Sequence, residues 1–534
     1  MLIRVSAKRL WTSTQSATRE IRQTRLFLFG DVSGLPPSLI FAGKDEVLLD
    51  DSRRMHNKLV SSGCTSELVE AEGMWHAYVL YCIKERACDL DRINAFLNRF
   101  LSHERKLRWI LLDNAAKIYP AAKRRKWNNF FRLSATLCDE VDKTVLRNAM
   151  DVTMRRFPSI AVRLCRGAFW YYLEELSSAP EITDEKSWPL AHTPFESINE
   201  CALRVIVYKN RIAVEFYHAL TDGTGGMVFL KSLLAEYIEQ KYGVEIPNEC
   251  GVLDRLTQPQ EEELEDSFSK NAGSVSVSRN ASTAFKIHYT PERDDFRHLT
   301  TFILDSNAAL AAAKSCGVSL TVYLTSAMLL ALQRIQDEQT PDKRRQKPIR
   351  VVVPVNLRRL FPSRTLRNFV HVIMPEIDPR MGDYEFSEIL TSVKHQLGLL
   401  VTKKNLCAMF TPNVNAERSP LLRVMPLFLK NIAMKLVYDT VGERTNCLNL
   451  SNLGDIKVPD AMRRYVTRFD FILGVQATKP NNCGVLSYNG KLYMNFIRNT
   501  VEPVLEFQFY QVLRELGLHV KVESNGAGNV LIPN

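Results

Sequence analysis

The sequence predicts an α/β protein with more than one domain. Three observations support this class. Between residues 38 and 101, short apolar strands alternate with amphipathic helices. A strand over 211–218 runs through a glycine-rich turn into a helix that ends near Gln240. The 534 residues exceed the usual size of one domain, which is about 100–200 residues.

Composition and charge exclude several other classes. Hydrophobic residues make up 46% of the chain and charged residues 24%, which excludes a disordered or collagen-like protein. No apolar run reaches the roughly 18 residues that a spanning helix needs, so we expect no integral membrane segment. The net charge of +11 is unevenly placed, with basic clusters in residues 1–27 and at Lys123–Lys126 beside Trp127. Because no nucleic-acid-binding motif accompanies these clusters, they predict solvated surface and no nucleic-acid partner.

The eleven cysteines are scattered and form neither a C-x-x-C pair nor a metal-type cluster. This pattern predicts free thiols, a cytoplasmic location and no metal site. Residues 1–29 are rich in arginine and poor in acidic residues, which is typical of an organelle transit peptide. The alternative, which the next segment favours, is an uncertain leader that replaces lost sequence.

Residues 30–104 follow the order expected for the late part of a doubly wound sheet. The predicted elements are a strand at 38–44, Asp45, a helix opening at 48–52, a strand at Glu67–Glu70, His76 and a helix at 86–101. In such a sheet, polar residues that follow strands gather at one edge.

This segment resembles the C-terminal third of the alpha/beta-hydrolase esterases related to hormone-sensitive lipase, on the strength of Gly43–Leu48 and Gly73–His76. The resemblance implies that Asp45 is the triad acid and His76 the triad base. A G-x-S-x-G nucleophile elbow should precede them, and Gly30–Gly34 has the wrong spacing for one. We therefore expect a truncated hydrolase segment without activity, with an active esterase as the alternative.

A second pattern begins near residue 115. The predicted elements are a strand at Phe130–Thr136, a helix at 141–156 with Val141, Val145, Ala149 and Val152 on one face, and a hairpin of 203–207 with 211–218. Along the last strand, Ile212, Val214, Phe216 and His218 share one face because side chains alternate. His218 therefore ends an apolar face and points into a core or a channel.

His218, Asp222 and Gly223 form an H-x-x-x-D-G pattern between this strand and the following helix. In that context the segment resembles the active-site motif of the CoA-dependent acyltransferase superfamily with the chloramphenicol acetyltransferase fold, which includes alcohol acetyltransferases and peptide-synthetase condensation domains. Val353–Arg358 with Arg367-Asn368-Phe369, and Leu450–Gly454, resemble two further segments of that superfamily. Arg367 stands where glycine is usual. Among the members, the chain looks most like the alcohol acetyltransferase type.

The resemblance implies transfer of an acyl group, expected to be acetyl, from acyl-CoA to a small-molecule alcohol, with no bound cofactor. His218 would be the general base, and the ordinary pKa of histidine, about 6.5, suits that role. Asp222 would hold the loop by pairing with an arginine; Arg358 is one candidate, and the sequence does not decide. Gly223 would permit a tight turn.

The remaining implied roles are supporting ones. Ser451 or Asn452 would donate a hydrogen bond to the tetrahedral oxyanion, with loop structure as the alternative role. Asn356 and Arg358 would be scaffold residues.

Two lobes are predicted, at 115–250 and 286–534, joined by a surface linker at 251–285 that is acidic and then rich in Ser, Asn and Gly. The resemblance implies a tunnel between the lobes with His218 midway. Two alternative functions stay open. A condensation domain would use a carrier-bound donor, but Tyr217 stands where those domains usually have a second histidine. The other alternative is a non-catalytic binding protein.

Overall fold

The computed structural model describes residues 2–4, 31–81, 83, 87–100, 107–121, 129–192, 194–277, 282–293, 295–476 and 479–526. The chain divides into two compact units, Met1–Lys106 and Leu107–Asn534. Each unit has its own hydrophobic core. The basic cluster Lys123–Lys126 with Trp127, and most of residues 1–29, lie outside the described residues.

The first unit contains a three-stranded sheet. Its elements are β1 (Leu2–Arg4), β2 (Ser38–Gly43), α1 (Leu49–Ser61), β3 (Ser66–Ala71) and α2 (Ala87–Phe100). Strand β2 pairs with β3 in parallel and with β1 antiparallel. A parallel pair requires a crossover connection, which α1 supplies. The predicted order of strand, helix, strand and helix is therefore confirmed.

The second unit contains three sheets. Its strands are β4 (Trp109–Leu111), β5 (Phe130–Leu137), β6 (Val162–Arg166), β7 (Tyr171–Glu175), β8 (Ile182–Asp184), β9 (Leu203–Tyr208), β10 (Arg211–Tyr217), β11 (His298–Asp305), β12 (Ile349–Asn356), β13 (Val370–Ile373), β14 (Glu376–Ile377), β15 (Leu448–Asp455), β16 (Val466–Ile472), β17 (Asn481–Tyr488), β18 (Lys491–Arg498) and β19 (Lys521–Ser524). The predicted mixed α/β class is thus confirmed.

Helices cover these sheets. They are α3 (Ile118–Ala121), α4 (Lys143–Arg156), α5 (Phe195–Ile198), α6 (Gly223–Tyr242), α7 (Glu261–Leu264), α8 (Ser267–Asn271), α9 (Ser306–Ser315), α10 (Leu320–Gln339), α11 (Phe386–Leu400), α12 (Lys403–Arg418), α13 (Pro420–Val424), α14 (Leu427–Val437), α15 (Asp460–Arg463) and α16 (Val504–Glu515).

The first sheet has five strands in the order β16-β5-β10-β9-β8. Strand β10 is central and runs antiparallel to both neighbours, and Ile212, Val214 and Phe216 on its one face are buried. Its other face is buried as well. On that face the carboxylate of Glu215 lies 3.3 Å from the guanidinium of Arg132. A buried charge is tolerated only when it is paired, as it is here.

The second sheet has eight strands, seven of them in the order β13-β12-β15-β17-β18-β11-β19, with β14 paired to β12. Strand β15 runs parallel to β12 and β17, and the other pairs are antiparallel. Asn489 and Gly490 both have positive φ, at 51° and 78°, so the turn between β17 and β18 has the geometry that Asn-Gly favours.

The two sheets approach each other closely at β16 and β17. A Cβ atom at Gly484 would lie 2.2 Å from the carbonyl oxygen of Phe471, so this position needs glycine. Strand β16 lies beyond residue 286 in the sequence, yet it pairs with β5 in the first sheet. The predicted division at 251–285 therefore does not separate the two sheets.

The predicted surface linker at 251–285 contains two short helices, α7 and α8, and one buried acidic residue, Glu263, which is only 7% exposed. The carboxylate of Glu263 pairs with the guanidinium of Arg156 from α4 at 2.5 Å. Glu261 and Glu262 are exposed, as a surface segment predicts, whereas Glu263 meets a buried cation.

The third sheet has the strand order β4-β7-β6 and is antiparallel throughout. No single helix in the described part of the chain has both the length and the apolar composition to cross a membrane. Helices α9 and α10 meet those criteria only when taken together, and they are bent by 84° relative to each other. Most of α10 is buried in the second core.

Candidate active site

The candidate site lies where β10 ends and α6 begins. Strand β10 ends at Tyr217, and the backbone N–H of His218 donates to the carbonyl of Asn129 at 2.9 Å. Asp222 is the N-cap of α6, since its carboxylate accepts from the backbone N–H groups of Thr224 and Gly225. The strand, the turn and the helix cap therefore hold the loop from 218 to 222 at both ends.

Asp222 is buried, with only 2% exposure, and its carboxylate contacts the scaffold. Besides the two cap bonds, its Oδ2 accepts from the backbone N–H of Phe369 at 2.8 Å and from Arg358 Nη1 at 2.8 Å. The ion pair with Arg358 that the sequence left open thus forms. These contacts hold the loop in place, and removing one partner of a buried pair costs about 3–5 kcal/mol.

Two glycines at the start of α6 are explained by space. Gly223 is the first residue of the helix and does not have positive φ, so its backbone conformation is open to other residues. A Cβ at Gly223 would instead lie 2.7 Å from the side chain of Leu453. At Gly225 a Cβ would lie 2.1 Å from the carbonyl oxygen of Leu366. The second glycine therefore lets the segment around 366 approach the helix.

The imidazole of His218 is half-buried between aromatic rings. It stacks on Tyr119 of α3 with centroids 4.7 Å apart, and the ring of Phe131 contacts its edge at 5.0 Å. Burial lowers the pKa of His218 below its ordinary value, since the charged form loses hydration. Burial therefore favours the neutral form of the ring.

Asn368 determines which ring nitrogen carries the proton. Its Nδ2 donates to the carbonyl oxygen of His218 at 3.0 Å and faces Asp113 Oδ2 at 3.4 Å, which fixes the orientation of the amide. Asn368 Oδ1 then lies 3.2 Å from Nδ1 of His218 and can only accept. The proton is therefore on Nδ1, and Nε2 has a free lone pair.

Asp113 and Arg367 support Asn368. Asp113 is fully buried, and burial raises its pKa to about 6, while the guanidinium of Arg367 at 3.6 Å opposes that rise. Arg367 replaces the glycine that the resemblance leads us to expect. It does not have positive φ, and its side chain points inward to donate to the carbonyl oxygens of Leu111 and Leu264. Here the arginine anchors the turn.

Asn356 hydrogen-bonds to Thr224 and Arg358. Its Nδ2 donates to Thr224 Oγ1 at 3.1 Å, and its Oδ1 accepts from the backbone N–H of Arg358 at 3.1 Å and from Arg358 Nη1 at 3.3 Å. Asn356 therefore connects the end of β12 to the start of α6.

Ser451 and Asn452 lie next to each other on β15 and point to opposite faces. The amide of Asn452 is engaged on both sides, by Thr321 Oγ1 at 3.2 Å and by the backbone N–H of Gly454 at 2.8 Å. Ser451 is buried, and Leu453, two residues on, lies next to Gly223. The register of β15 against β17 shifts between Asn452 and Asp455, so the alternation of faces does not carry over from Ser451 to Leu453.

In the first unit, the structure pairs His76 with a different acid from the one predicted. Nδ1 of His76 lies 3.0 Å from Oε2 of Glu46, whose side chain is 4% exposed. Asp45 is exposed, and its backbone N–H donates to the carbonyl of Met74. The partner of His76 is therefore Glu46, the residue after the predicted Asp45. The backbone turn that holds Asp45 directs the side chain of Glu46 towards the histidine.

Three neighbours of His218 had no role in the sequence analysis. Asn368 lies in a segment that carried the resemblance, so its position was marked but not its contact. Asp113 and Tyr119 precede Phe130–Thr136, the first strand predicted in the second unit, and belong to no motif. In the part of the chain that the structure describes, no three His, Cys, Asp or Glu side chains gather as a metal site.

Comparisons with known proteins cover different shares of the chain. The family model for the alpha/beta hydrolase fold matches residues 1–80. A curated esterase from Acinetobacter venetianus is 37% identical over 54 residues, which is 10% of this chain and 18% of the esterase. The chain therefore spans less than a fifth of the length of that relative.

Solved structures resemble a larger part of the chain. They include polyketide synthase associated protein 5 from Mycobacterium tuberculosis (TM-score 0.46, 12% identity, 76% of this chain and 96% of that chain). Trichothecene 15-O-acetyltransferase from Fusarium sporotrichioides has a TM-score of 0.46 and 12% identity over 77% of this chain and 94% of its own. The epimerization domain of tyrocidine synthetase B has a TM-score of 0.49 and 13% identity over 77% and 96%. Because these TM-scores are below 0.5, we assign no site residue from these structures.

Proposed function

We propose that residues 107–534 transfer an acyl group from acyl-CoA to the hydroxyl of a small alcohol, with His218 as the general base. The observation that carries the proposal is the contact between Asn368 Oδ1 and Nδ1 of His218, because it leaves Nε2 free to accept a proton. The lowered pKa of His218 keeps that nitrogen unprotonated near neutral pH.

The reaction would proceed in two steps without a covalent enzyme intermediate. Nε2 of His218 removes the proton of the acceptor hydroxyl, whose oxygen attacks the thioester carbonyl carbon. The carbonyl oxygen becomes a tetrahedral oxyanion, and we assign Ser451 as its hydrogen-bond donor because Nδ2 of the neighbouring Asn452 already donates to Thr321 Oγ1. When the C–S bond breaks, the imidazolium returns the proton to the CoA thiolate. The products are the ester and free CoA.

The acetyl donor and the alcohol acceptor rest on the resemblance of His218–Gly223, Val353–Arg358 and Leu450–Gly454 to alcohol acetyltransferases. All ten cysteines among the described residues are free thiols, which supports a reducing compartment such as the cytoplasm. A condensation-type enzyme with a carrier-bound donor is the competing acyltransferase. Reaction of free acyl-CoA without any carrier protein would support the CoA-dependent enzyme over the condensation-type enzyme.

The first experiment measures thiol release from acetyl-CoA with a panel of alcohols. We expect alcohol-dependent release that falls by about 10²–10⁴-fold in His218→Ala, the usual contribution of a general base. His395→Ala is the matched control, since His395 is exposed on α11. Release that is equal in the two variants would show that His218 is structural.

The first unit supports a second candidate, an esterase, through the paired His76 and Glu46 and the family match over residues 1–80. This candidate needs a serine nucleophile, and the chain contains no G-x-S-x-G sequence. A serine-directed fluorophosphonate probe decides the matter, because stable labelling within residues 1–106 would establish an active serine there.

A further inference from the structure

Helix α14 has its polar and apolar sides reversed relative to an ordinary surface helix. An ordinary surface helix buries its apolar stripe and exposes its charges. In α14, Phe428 is 56% exposed, Ile432 66% and Leu436 65%. The residues that it buries are Leu427 and the lysine Lys430.

Polar contacts anchor this helix to the unit. The ammonium of Lys430 donates to the carbonyl oxygen of Phe169 at 2.9 Å and lies 3.5 Å from the ring centroid of Trp170. Asn431 Nδ2 donates to the hydroxyl of Tyr171 at 3.2 Å. Because these contacts fix the helix by its polar side, its apolar side stays outward.

Further apolar residues are exposed at and before this helix. Val437, the last residue of α14, is 57% exposed, and Val424 of the preceding helix α13 is 68% exposed. Single exposed apolar residues are common on soluble proteins, whereas a contiguous set usually marks an interaction surface.

The charge of this segment indicates the partner. Residues 420–437 contain the basic residues Arg423, Lys430 and Lys435 and no acidic residue. Arg423 and Lys435 are exposed beside the apolar face. A second copy of the chain would bring the same two cations towards them, whereas an anionic lipid surface would neutralise them. An apolar face flanked by lysine and arginine is the pattern of helices that lie in the membrane interface.

We propose that α14 docks on the surface of an anionic lipid bilayer, with Phe428, Ile432 and Leu436 inserted among the lipids and Arg423 and Lys435 at the headgroups. This docking does not depend on the proposed acyl transfer.

The docking surface lies close to the candidate site. Helix α14 packs beside α3, and Tyr119 of α3 stacks on His218. A cavity of about 490 Å³ lies beside this region, lined by residues that include Leu111, Trp170 and Arg423. Because Arg423 belongs both to the cavity wall and to the docking surface, the cavity would face the lipid headgroups when the helix is docked.

The test is flotation of the full-length chain with vesicles of phosphatidylcholine, alone or mixed with phosphatidylserine. We expect flotation with the mixed vesicles and at least about tenfold weaker binding in the double variant Phe428→Ser/Ile432→Ser, since both side chains lose apolar burial. The matched control is Leu256→Ser, because Leu256 is 88% exposed elsewhere in the same unit and should not contribute. Wild-type protein that does not float, or a double variant that floats equally well, would overturn the proposal.

A second arm tests the charges. We expect Lys435→Glu to weaken binding to the mixed vesicles about fivefold or more, since each basic residue near an anionic surface contributes about 1 kcal/mol. Equal binding of wild type and Lys435→Glu to the mixed vesicles would exclude an anionic surface as the partner. Sedimentation distinguishes a second copy: a dimer that the double variant abolishes, without vesicle binding, contradicts the proposal. Thiol release with a water-soluble alcohol should be the same in the double variant and wild type, so a failure of docking is separable from a failure of acyl transfer.

Discussion

The amide of Asn368 touches both the ring and the backbone carbonyl of His218. Replacing it with alanine removes the acceptor for the Nδ1 proton, so part of the neutral imidazole would carry its proton on Nε2 instead. That fraction cannot act as a base, and we expect kcat/KM to fall about tenfold, within the range of a general-base contribution. The same hydrogen bond raises the pKa of His218, although burial lowers it more.

The pH profile separates this role from a merely structural one. Because the bond raises the pKa of His218, its loss lowers that pKa further, and the acid limb of kcat/KM moves to lower pH in Asn368→Ala. Asn405→Ala is the control, since Asn405 is exposed at the start of α12 and its side-chain amide donates to the carbonyl of Leu399. A lower kcat/KM with an unshifted acid limb would mean that Asn368 does not set the protonation of His218.

At this scale the sequence predicts the residues that belong to a contiguous motif. His218 and Asp222 follow from a strand, a turn and a helix that lie together in the chain. Asp113 and Tyr119 lie about a hundred residues earlier, and Asn368 lies 150 residues later. Only the folded chain brings such distant side chains together, so their contacts are not visible in any local pattern.

At the scale of elements, the start of α6 is set by backbone approach rather than by helix propensity. A Cβ at Gly225 would lie 2.1 Å from the carbonyl oxygen of Leu366, so Gly225→Ala should destabilise the unit by about 3 kcal/mol, as overpacking does. Gly398→Ala is the matched control in α11, where an added Cβ meets nothing within 4 Å. This change should stabilise the helix by about 0.5–1 kcal/mol. Denaturant midpoints that move in the same direction in both variants would contradict the argument.

Several elements could be predicted from the sequence, and their packing partners could not. The strand predicted at Phe130–Thr136 is found at Phe130–Leu137. The helix predicted at 141–156 begins at Lys143, but its buried stripe includes Leu146, Met150 and Thr153 rather than Val145 and Val152, which are half-buried. Periodicity finds a helix, whereas the elements packed against it decide which of two neighbouring stripes is buried.

The prediction of a solvated surface segment at 251–285 does not hold at Glu263, for a related reason. Charge runs usually predict solvated surface. At Glu263 the run meets Arg156, which lies more than a hundred residues away in the chain, and the pair is buried. Composition shows which residues carry charge, but it does not show whether a distant opposite charge is available to pair with them.

At the scale of the whole molecule, the two units have separate cores. Leu39, Phe41, Tyr78, Val79 and Phe96 form a core in the first unit, while the larger clusters lie within 107–534. The described contacts of the candidate site also lie within the second unit, with Leu111 the earliest residue among them. The described residues that we assign to acyl transfer thus all belong to the second unit.

We therefore predict that deleting residues 1–104 leaves alcohol-dependent thiol release from acetyl-CoA within about twofold of the full chain, since the described contacts around His218 are made by residues of the second unit. Adding His218→Ala to the shortened chain should abolish the release, which shows that the activity comes from the same base. The shortened chain must first be shown to be folded, by its near-ultraviolet circular dichroism and a cooperative thermal transition. If it is folded and soluble but inactive, then the first unit contributes to the active site, and the division of labour that we infer from the separate cores is wrong.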